Sequence, residues 1–458
     1  MRVIADLHIH SHFSRATSPK LTPPYLDRWA QIKGLQLVGT GDCTHPLWLK
    51  TLREHLDDAE EGLYTLKAGI RRDFEVGPGV SEGLPCPPGA GVPRFVLTGE
   101  ISTIYKKEGK TRKVHHLVIL SGFTAAAAFQ TALERVGNIR SDGRPILGMD
   151  SRDLFALLLD ADPKALLIPA HIWTPWFSAL GAQSGFDSLA ACYEDLTPYI
   201  AAVETGLSSN PPMNWALTSL DPFSIISNSD AHAPEKLGRE GTVFAMDMGL
   251  SSLSAALRRD HGDAGVLETI EFFPQEGKYH YDGHRKCAVY LTPEAAAAAS
   301  GMCPVCHKPL TRGVMGRVLE LADSPVDEWA PCPAEYARTN RRPYRSLIPL
   351  KELLGELLEV GSASKKVEAA YRSLIGQGGS ELSLLMDTPQ EVLAGLGAPG
   401  LSGEQLALAI QGMRRGAVSI QPGYDGEYGV IRAFPPGQAA SHELPGIETI
   451  RGALPLRM

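Results

Sequence analysis

Val3-Ile4-Ala5-Asp6-Leu7-His8-Ile9-His10 is a β-branched run that passes without a break into Asp, His and His. A run of this kind predicts a first strand, and two histidines at i and i+2 of an extended chain project to the same side. Both imidazoles can therefore reach one metal ion.

Working outward, the same arrangement recurs to about residue 275. Short apolar runs at Leu35–Val38, Phe95–Leu97, His116–Leu120, Leu166–Ile168 and Ile225–Ser227 alternate with helical stretches, and each ends in polar residues. This rhythm predicts repeated βα units around a parallel sheet or barrel, whose site is built at the carboxyl ends of the strands. Gly77–Pro93, rich in Gly and Pro, reads as a loop insertion. Ligand-type residues stand at the successive run ends: Asp42 and His45, Glu100, His115 and His116, His171, Glu204, and Asp230 with His232. Any one of these histidines alone would be read as hydrogen-bonded structure. So many imidazoles and carboxylates at strand ends point to a metal centre.

Composition frames this reading. The chain has 458 residues, 43% hydrophobic and 21% charged, as in an ordinary soluble enzyme of more than one domain. Ala125–Phe129 and Ala295–Ala299 are too short to span a bilayer, which needs about 20 apolar residues. With no signal-like start either, a cytoplasmic protein without membrane attachment is expected. The formal charge of -8 excludes a uniformly basic nucleic-acid binder. It leaves room for a basic groove, for which Lys106, Lys107, Lys110, Arg112 and Lys113 form one candidate run and Arg338, Arg341, Arg342 and Arg345 another.

Seven cysteines in such a chain argue against a disulfide framework. Four ligand types instead pair locally: His284 with Cys287 and Cys303 with Cys306, two intervening residues in each case. That spacing gives two knuckles on one tetrahedral structural zinc, with Asp282, His307 and Cys332 as alternative fourth ligands. Beyond the module, Leu347–Leu358 and Lys365–Ile375 show helical apolar spacing, helices continue to about Arg415, and Val418–Ile431 reads as two short strands around a turn. The expected division is residues 1–275 as the ligand-bearing α/β domain, 276–323 as the zinc module, 324–431 as a mainly helical domain whose basic run suits a polymeric anion such as DNA, and 432–458 as a flexible tail.

His8-x-His10, Thr-Gly-Asp42, Glu100 after an apolar strand, His116-Leu-Val, the isolated His171 and Asp230-x-His232 together resemble the PHP (polymerase and histidinol phosphatase) superfamily over roughly the first 270 residues. The resemblance implies a distorted α/β barrel of seven βα units, holding two or three divalent ions (zinc, manganese or magnesium) that hydrolyse phosphate esters. It implies as ligands His8, His10, Asp42, His45, Glu100, His116, His171, Glu204, Asp230 and His232, with Asp230, His232, Glu100, His171 and Arg15 closest to the chemistry. Two departures stand out: Asp42 precedes Cys43 where many members have Asp-His, and Arg15-Ala16-Thr17 replaces a further ligand after the first pair. Such ions lower the pKa of water and neutralise charge developing on phosphate. His12, Arg15 and Arg239 are candidates to grip phosphate oxygens.

More of the chain, to about residue 431, resembles the endonuclease Q family of PHP repair nucleases. Asp6–Ser18, Gly39–Leu49, His171–Phe177, Glu204–Asn210, Ser229–Gly238, Lys278–Cys287, the Cys303 pair and Pro422–Gly426 carry this resemblance. It implies strand cleavage 5′ of uracil, hypoxanthine or xanthine and at abasic sites, leaving 3′-hydroxyl and 5′-phosphate ends. A damaged base must leave the duplex to be read, and Trp173, Trp176, Phe177, Ser184 and Phe186 are the candidate pocket wall. The turns Gly395–Gly397 and Gly400–Gly403 could offer amides to a DNA phosphate. The tail after Arg432 is a candidate site for a replication or repair partner. Two other readings stay open, a PHP phosphatase or exonuclease on small esters or strand ends, and a non-catalytic zinc-containing DNA-binding protein.

Overall fold

The structure, a computed structural model, describes residues 1–259, 264–326 and 341–434. Arg338, Cys332 and most of the 432–458 tail therefore lie outside the described residues. Its first half carries strands β1 (Arg2–Asp6), β2 (Leu37–Gly39), β3 (Leu56–Asp58), β4 (Tyr64–Leu66), β5 (Arg94–Val96), β6 (Thr98–Lys107), β7 (Lys110–Ile119), β8 (Ile146–Leu147) and β9 (Leu166–Pro169). There follow β10 (Ala202–Glu204), β11 (Ser224–Ile226), β12 (Gly241–Ala245), β13 (Gly265–Glu271), β14 (Asp282–His284), β15 (Val289–Leu291), β16 (Tyr344–Ser346), β17 (Ser419–Gln421) and β18 (Val430–Arg432). The apolar runs picked from the sequence coincide with β2, β5, β7, β9 and β11. Gly77–Pro93 is mostly loop, with one short helix at Pro78–Ser81.

The fold is mixed α/β with a large sheet. Eight strands pair in the order β16-β13-β12-β1-β2-β5-β4-β3, four as β8-β6-β7-β9, and two as β10-β11. The pairing departs from an all-parallel arrangement. β12 runs antiparallel to both β1 and β13, and β6 and β7 form a long antiparallel hairpin. Hydrogen bonding thus draws three sheets and not one closed ring. They share a core nonetheless: Val3, Ala5 and Leu7 pack with Leu117 and Ile119 of β7, Leu166 and Ile168 of β9, Ala202 of β10, Ile226 of β11 and Phe244 of β12. Alternate residues of one strand reach that inner core, while their neighbours face a second core shared with the helices.

The segment from residue 341 onward is joined to earlier elements of the chain. β16 adds in parallel to the edge of β13, and Lys33 forms a buried ion pair with Glu381, whose carboxylate also accepts from Tyr371. Helices at Leu350–Leu357, Lys365–Gly378, Glu381–Met386, Gln390–Gly395 and Gly403–Arg414 follow. Of the glycines in these turns Gly403 serves close packing, since a Cβ there would stand 2.2 Å from the Ala394 carbonyl, whereas Gly395 and Gly397 have open space. Ser402 and Gln405 form a capping box on the last helix, already occupying amides proposed for phosphate. β17 and β18 pair as the predicted terminal hairpin.

Candidate metal centre and adjoining cavity

At the carboxyl end of β1, His8 and His10 converge with Glu100 of β6 and Asp230 of the loop after β11. His10 Nε2 lies 3.0 Å from Asp230 Oδ1 and 3.4 Å from Glu100 Oε2. His8 Nε2 is 3.7 Å from Glu100 Oε2 and 3.9 Å from Asp230 Oδ1. Beside this group, His115 Nδ1 and His171 Nε2 lie 2.6 and 3.1 Å from the other oxygen of Glu100. Glu100 is thus common to two sets of ligand-type atoms, His8/His10/Glu100/Asp230 and Glu100/His115/His171. His8 Nε2 is buried and finds no hydrogen-bond partner among the described residues. An orphaned imidazole nitrogen facing two carboxylates suits a divalent cation in donor chemistry and in charge.

An outer layer of carboxylates fixes these imidazoles. Asp42 Oδ1 is 3.1 Å from His10 Nδ1, and its other oxygen accepts from the Ser11 amide and from the Ser11 and Ser14 hydroxyls. Glu204 lies 3.0 Å from His8 Nδ1 and also accepts from the His171 amide and Asn228. Each carboxylate holds a proton on Nδ1 and leaves Nε2 as the ligand atom. Burial alone would raise the Glu100 carboxyl, but His115, Arg144 and His8 hold it well below its usual range. Burial would lower His8 and His10, yet the carboxylates around them raise both well above the ordinary histidine value.

Backbone geometry at the centre is unusual. Asp42, His171 and Asp230 adopt positive φ angles of 46°, 30° and 47°, a conformation that is unfavourable for residues with a Cβ and clusters at functional sites. Gly206, with φ 63°, makes room for one of them, since a Cβ there would stand 2.3 Å from the His171 Cβ.

Several expected residues fall elsewhere. His116 is not in the cluster; on β7 it faces outward with Val118, bonded to Thr103 Oγ1 and the Tyr193 hydroxyl, while His115 shares the inner face with Leu117. The two-residue period of the strand makes the choice, and adjacent histidines conceal it. His45 caps the helix Pro46–His55 and lies 3.2 Å from the Arg140 carbonyl. Asp42 and Glu204 stand behind the histidines. His232 stacks on His10 at 4.5 Å, half-buried at the rim. Arg15 is 77% exposed and faces Asp142, and His12 packs on Phe13 and Trp48. Sequence reading missed Arg144, whose guanidinium lies 2.9 Å from Glu100 with its side chain 27% exposed. It follows the Asp142-Gly143 turn, and no motif marks it.

A cavity of about 500 Å³ opens beside Asp230 and His232. Trp176, 40% exposed, meets Tyr279 edge-on at 5.4 Å. Tyr428, 72% exposed, comes from the loop between β17 and β18, and Lys278 lies over both tyrosine rings. Arg239 and Lys236 line another side together with Glu276 and Glu352, the latter 3.1 Å from Lys236 Nζ. The loop of Tyr428 is clasped there by Gly423, whose amide donates to Gln275 O. Of the expected wall, only Trp176 lines this cavity. Phe177 stacks on His115 at 4.8 Å, Ser184 pins the Phe177 amide, and Phe186 is a buried platform under Arg112. Trp173 is wholly buried, with its indole N–H donating to Asn214.

Some distance along the chain, His284, Cys287, Cys303 and Cys306 bring their ligand atoms within 4.8 Å of one another. Burial pushes the Cys303 thiol up, but the amides of Cys306 and Val305 help bring it down to about 6. Asp282 is committed to the Gly313 amide. The four residues fit a zinc ion without a further ligand. Three cations of the two basic runs are committed to ion pairs: Lys107 with Asp150 and Glu194, Arg112 with Glu108, and Arg345 with Glu268.

A lesion-specific endonuclease from Pyrococcus furiosus, PfuEndoQ, matches 99% of this chain and 100% of its own, at 30% identity and a TM-score of 0.79. The chain belongs to the endonuclease Q family. An endonuclease Q complex with a 27-mer duplex carrying an abasic lesion at its active site matches 96% of the chain at 30% identity, with a TM-score of 0.77. Two uncharacterised proteins are similar in sequence as well. YqxK of Bacillus subtilis is 27% identical over 94% of this chain and 99% of its own length. MJ0043 of Methanocaldococcus jannaschii is 29% identical over 58% of this chain, and the match spans 32% of that longer protein. No family model matches. Among the described residues, no helix is long and apolar enough to cross a membrane.

Proposed function

We propose that this endonuclease Q family member is a DNA repair endonuclease acting in the cytoplasm, which hydrolyses the phosphodiester 5′ of deaminated bases or abasic sites. The observation that carries the reading is the juxtaposition of the Glu100-centred cluster with an aromatic cavity at Asp230 and His232 that also presents Arg239 and Lys278. Divalent cations held by His8, His10, Glu100, Asp230, His115 and His171 would supply an activated water and neutralise charge developing on the phosphate.

The chain's own residues divide the remaining work. Asp42 and Glu204 keep the Nε2 atoms of His10 and His8 aimed inward. Arg144 and Arg239, at the cluster and at the cavity wall, are placed to receive phosphate oxygens, for which a guanidinium fork is suited. Trp176, Tyr279 and Tyr428 offer faces and edges on which an extruded base or sugar could rest, as reading a lesion outside the helix requires. The zinc module supplies Lys278 and Tyr279 from its base, so its role is to hold that wall.

The test is cleavage of a labelled duplex containing one deoxyuridine, deoxyinosine or abasic site, with manganese or magnesium, beside undamaged duplex and the Asp230→Ala variant. A metal-dependent nick 5′ of the lesion, absent from both controls, is expected. Release of phosphate from small esters without a nick would overturn the proposal and favour a phosphatase.

A further inference from the structure

A second cavity, of about 210 Å³, opens at the other end of the strands. β10 and β11 run parallel, and their carboxyl ends lead to Glu204 and Asn228 at the metal centre. The cavity instead touches Ser224, the first residue of β11, and Gly265, the first of β13, with Trp215 and Thr269 beside them. Two arginines, Arg259 and Arg342, complete its lining.

Arg259 is held there at some cost. It ends the helix Leu250–Arg258 in the left-handed conformation, φ 61°, where glycine is the usual residue and a side chain is unfavourable. Its Nε donates to Ser224 Oγ at 3.2 Å, and its two Nη atoms donate to the Asp221 and Phe223 carbonyls. Ser224 Oγ spends a lone pair on this bond and keeps its own proton to donate. Arg342 is exposed and approaches from the residues before β16. Among the described residues neither guanidinium has a carboxylate within ion-pair distance, whereas Arg345, nearby on β16, pairs with Glu268. Arg341 lies over the Trp215 ring, and its Nη2 donates to the Trp215 carbonyl. Burial and then the facing Arg342 bring Arg259 down to about 10, so the pair repels and an anion would relieve it.

We propose that this cavity binds a phosphate group, with Arg259 and Arg342 gripping its oxygens and the Ser224 hydroxyl donating to one of them. Its size suits a single phosphate, free or as the end of an ester, and its position separates it from the reacting phosphodiester. The proposal does not depend on the nuclease reading.

The experiment is calorimetric titration of the full chain with inorganic phosphate at constant ionic strength, for the native protein, Arg342→Met, Arg259→Lys and Asp230→Asn. Arg342 is exposed, so its replacement leaves the fold intact, which the melting temperature checks. Saturable binding that weakens about tenfold or more in Arg342→Met and is unchanged in Asp230→Asn is expected. Competition then assigns the source. Displacement by a short oligonucleotide lacking terminal phosphates indicates a backbone phosphate, and displacement only by its 5′-phosphorylated form indicates a monoester; both sustain the proposal. No saturable binding at millimolar phosphate, equal affinity in Arg342→Met, or loss of binding in Asp230→Asn overturns it.

Discussion

Two ligand clusters in one chain are built in opposite ways. His284, Cys287, Cys303 and Cys306 lie close in sequence, and three of the four are partly open to solvent. His8, His10, Glu100, His115, His171 and Asp230 come from several strands and the loops that follow strands across the first half, and almost all are buried. In the first case the ion would organise a short segment that has little apolar core of its own. In the second the fold organises the ligands, and the cost appears as left-handed backbone at Asp42, His171 and Asp230.

If the contrast holds, injuring the distributed cluster removes activity without unfolding the protein. Asp230→Asn should lower lesion-duplex nicking by about 10³-fold or more, several kcal/mol of transition-state stabilisation, with an unchanged melting temperature. A mutant that melts early instead would show that the ligands also hold the fold.

The local cluster should behave in reverse. Cys306→Ser should reduce zinc from one equivalent per chain to near none, and hydrogen exchange should speed up across residues 277–323. Nicking should fall less, about tenfold, as the Tyr279 wall loosens. Loss of nicking as deep as in Asp230→Asn would erase the distinction.

Adjacent histidines on β7 sharpen the comparison further. His115→Ala should lower activity by about 10- to 100-fold with little change in stability. His116→Ala, which takes a partner from the buried Thr103 and Tyr193 hydroxyls, should destabilise by about 1–3 kcal/mol and leave most activity. Nicking assays beside urea melts separate the two outcomes.

The smallest effect lies at the root of the module. Burial lowers the pKa of His280 to about 4. Between that value and its unfolded value near 6.5 the native state binds fewer protons than the unfolded chain, so this residue's share of stability is present above pH 6.5 and lost as pH falls towards 4. The loss is at most about 1.4 kcal/mol per pH unit. His280→Gln should flatten the melting temperature against pH in this window; an unchanged slope would assign the acid sensitivity elsewhere.

Legibility in the sequence followed the same division. The His284, Cys287, Cys303 and Cys306 cluster could be read from spacing, because short loops bring these side chains together whatever the rest of the chain does. For the metal centre the strand ends and most ligand types were readable, but which of two neighbouring histidines faces inward depends on strand phase, and apolar residues line both faces of β7. Asp42, His45 and Glu204 share the chemistry of ligands while acting behind them or beside them, a difference of orientation that spacing does not encode. Trp173 and Trp176 flank the same loop, yet one is core and the other cavity wall. Tyr428 and Arg144 carry no motif, since each arrives through tertiary contacts of a distant loop. The mixed sheet was missed because the antiparallel β6–β7 hairpin and β12 have the same apolar composition as parallel strands.

The pairing of β16 with β13 has a practical consequence for anyone dividing the molecule. A truncated chain ending near residue 275 would leave Thr269, Ile270 and Glu271 of β13 without their partner strand, and an unpaired edge recruits other strands. The excised catalytic half is therefore expected to aggregate, unless Tyr344–Ser346 is returned to it as a peptide or through a short linker.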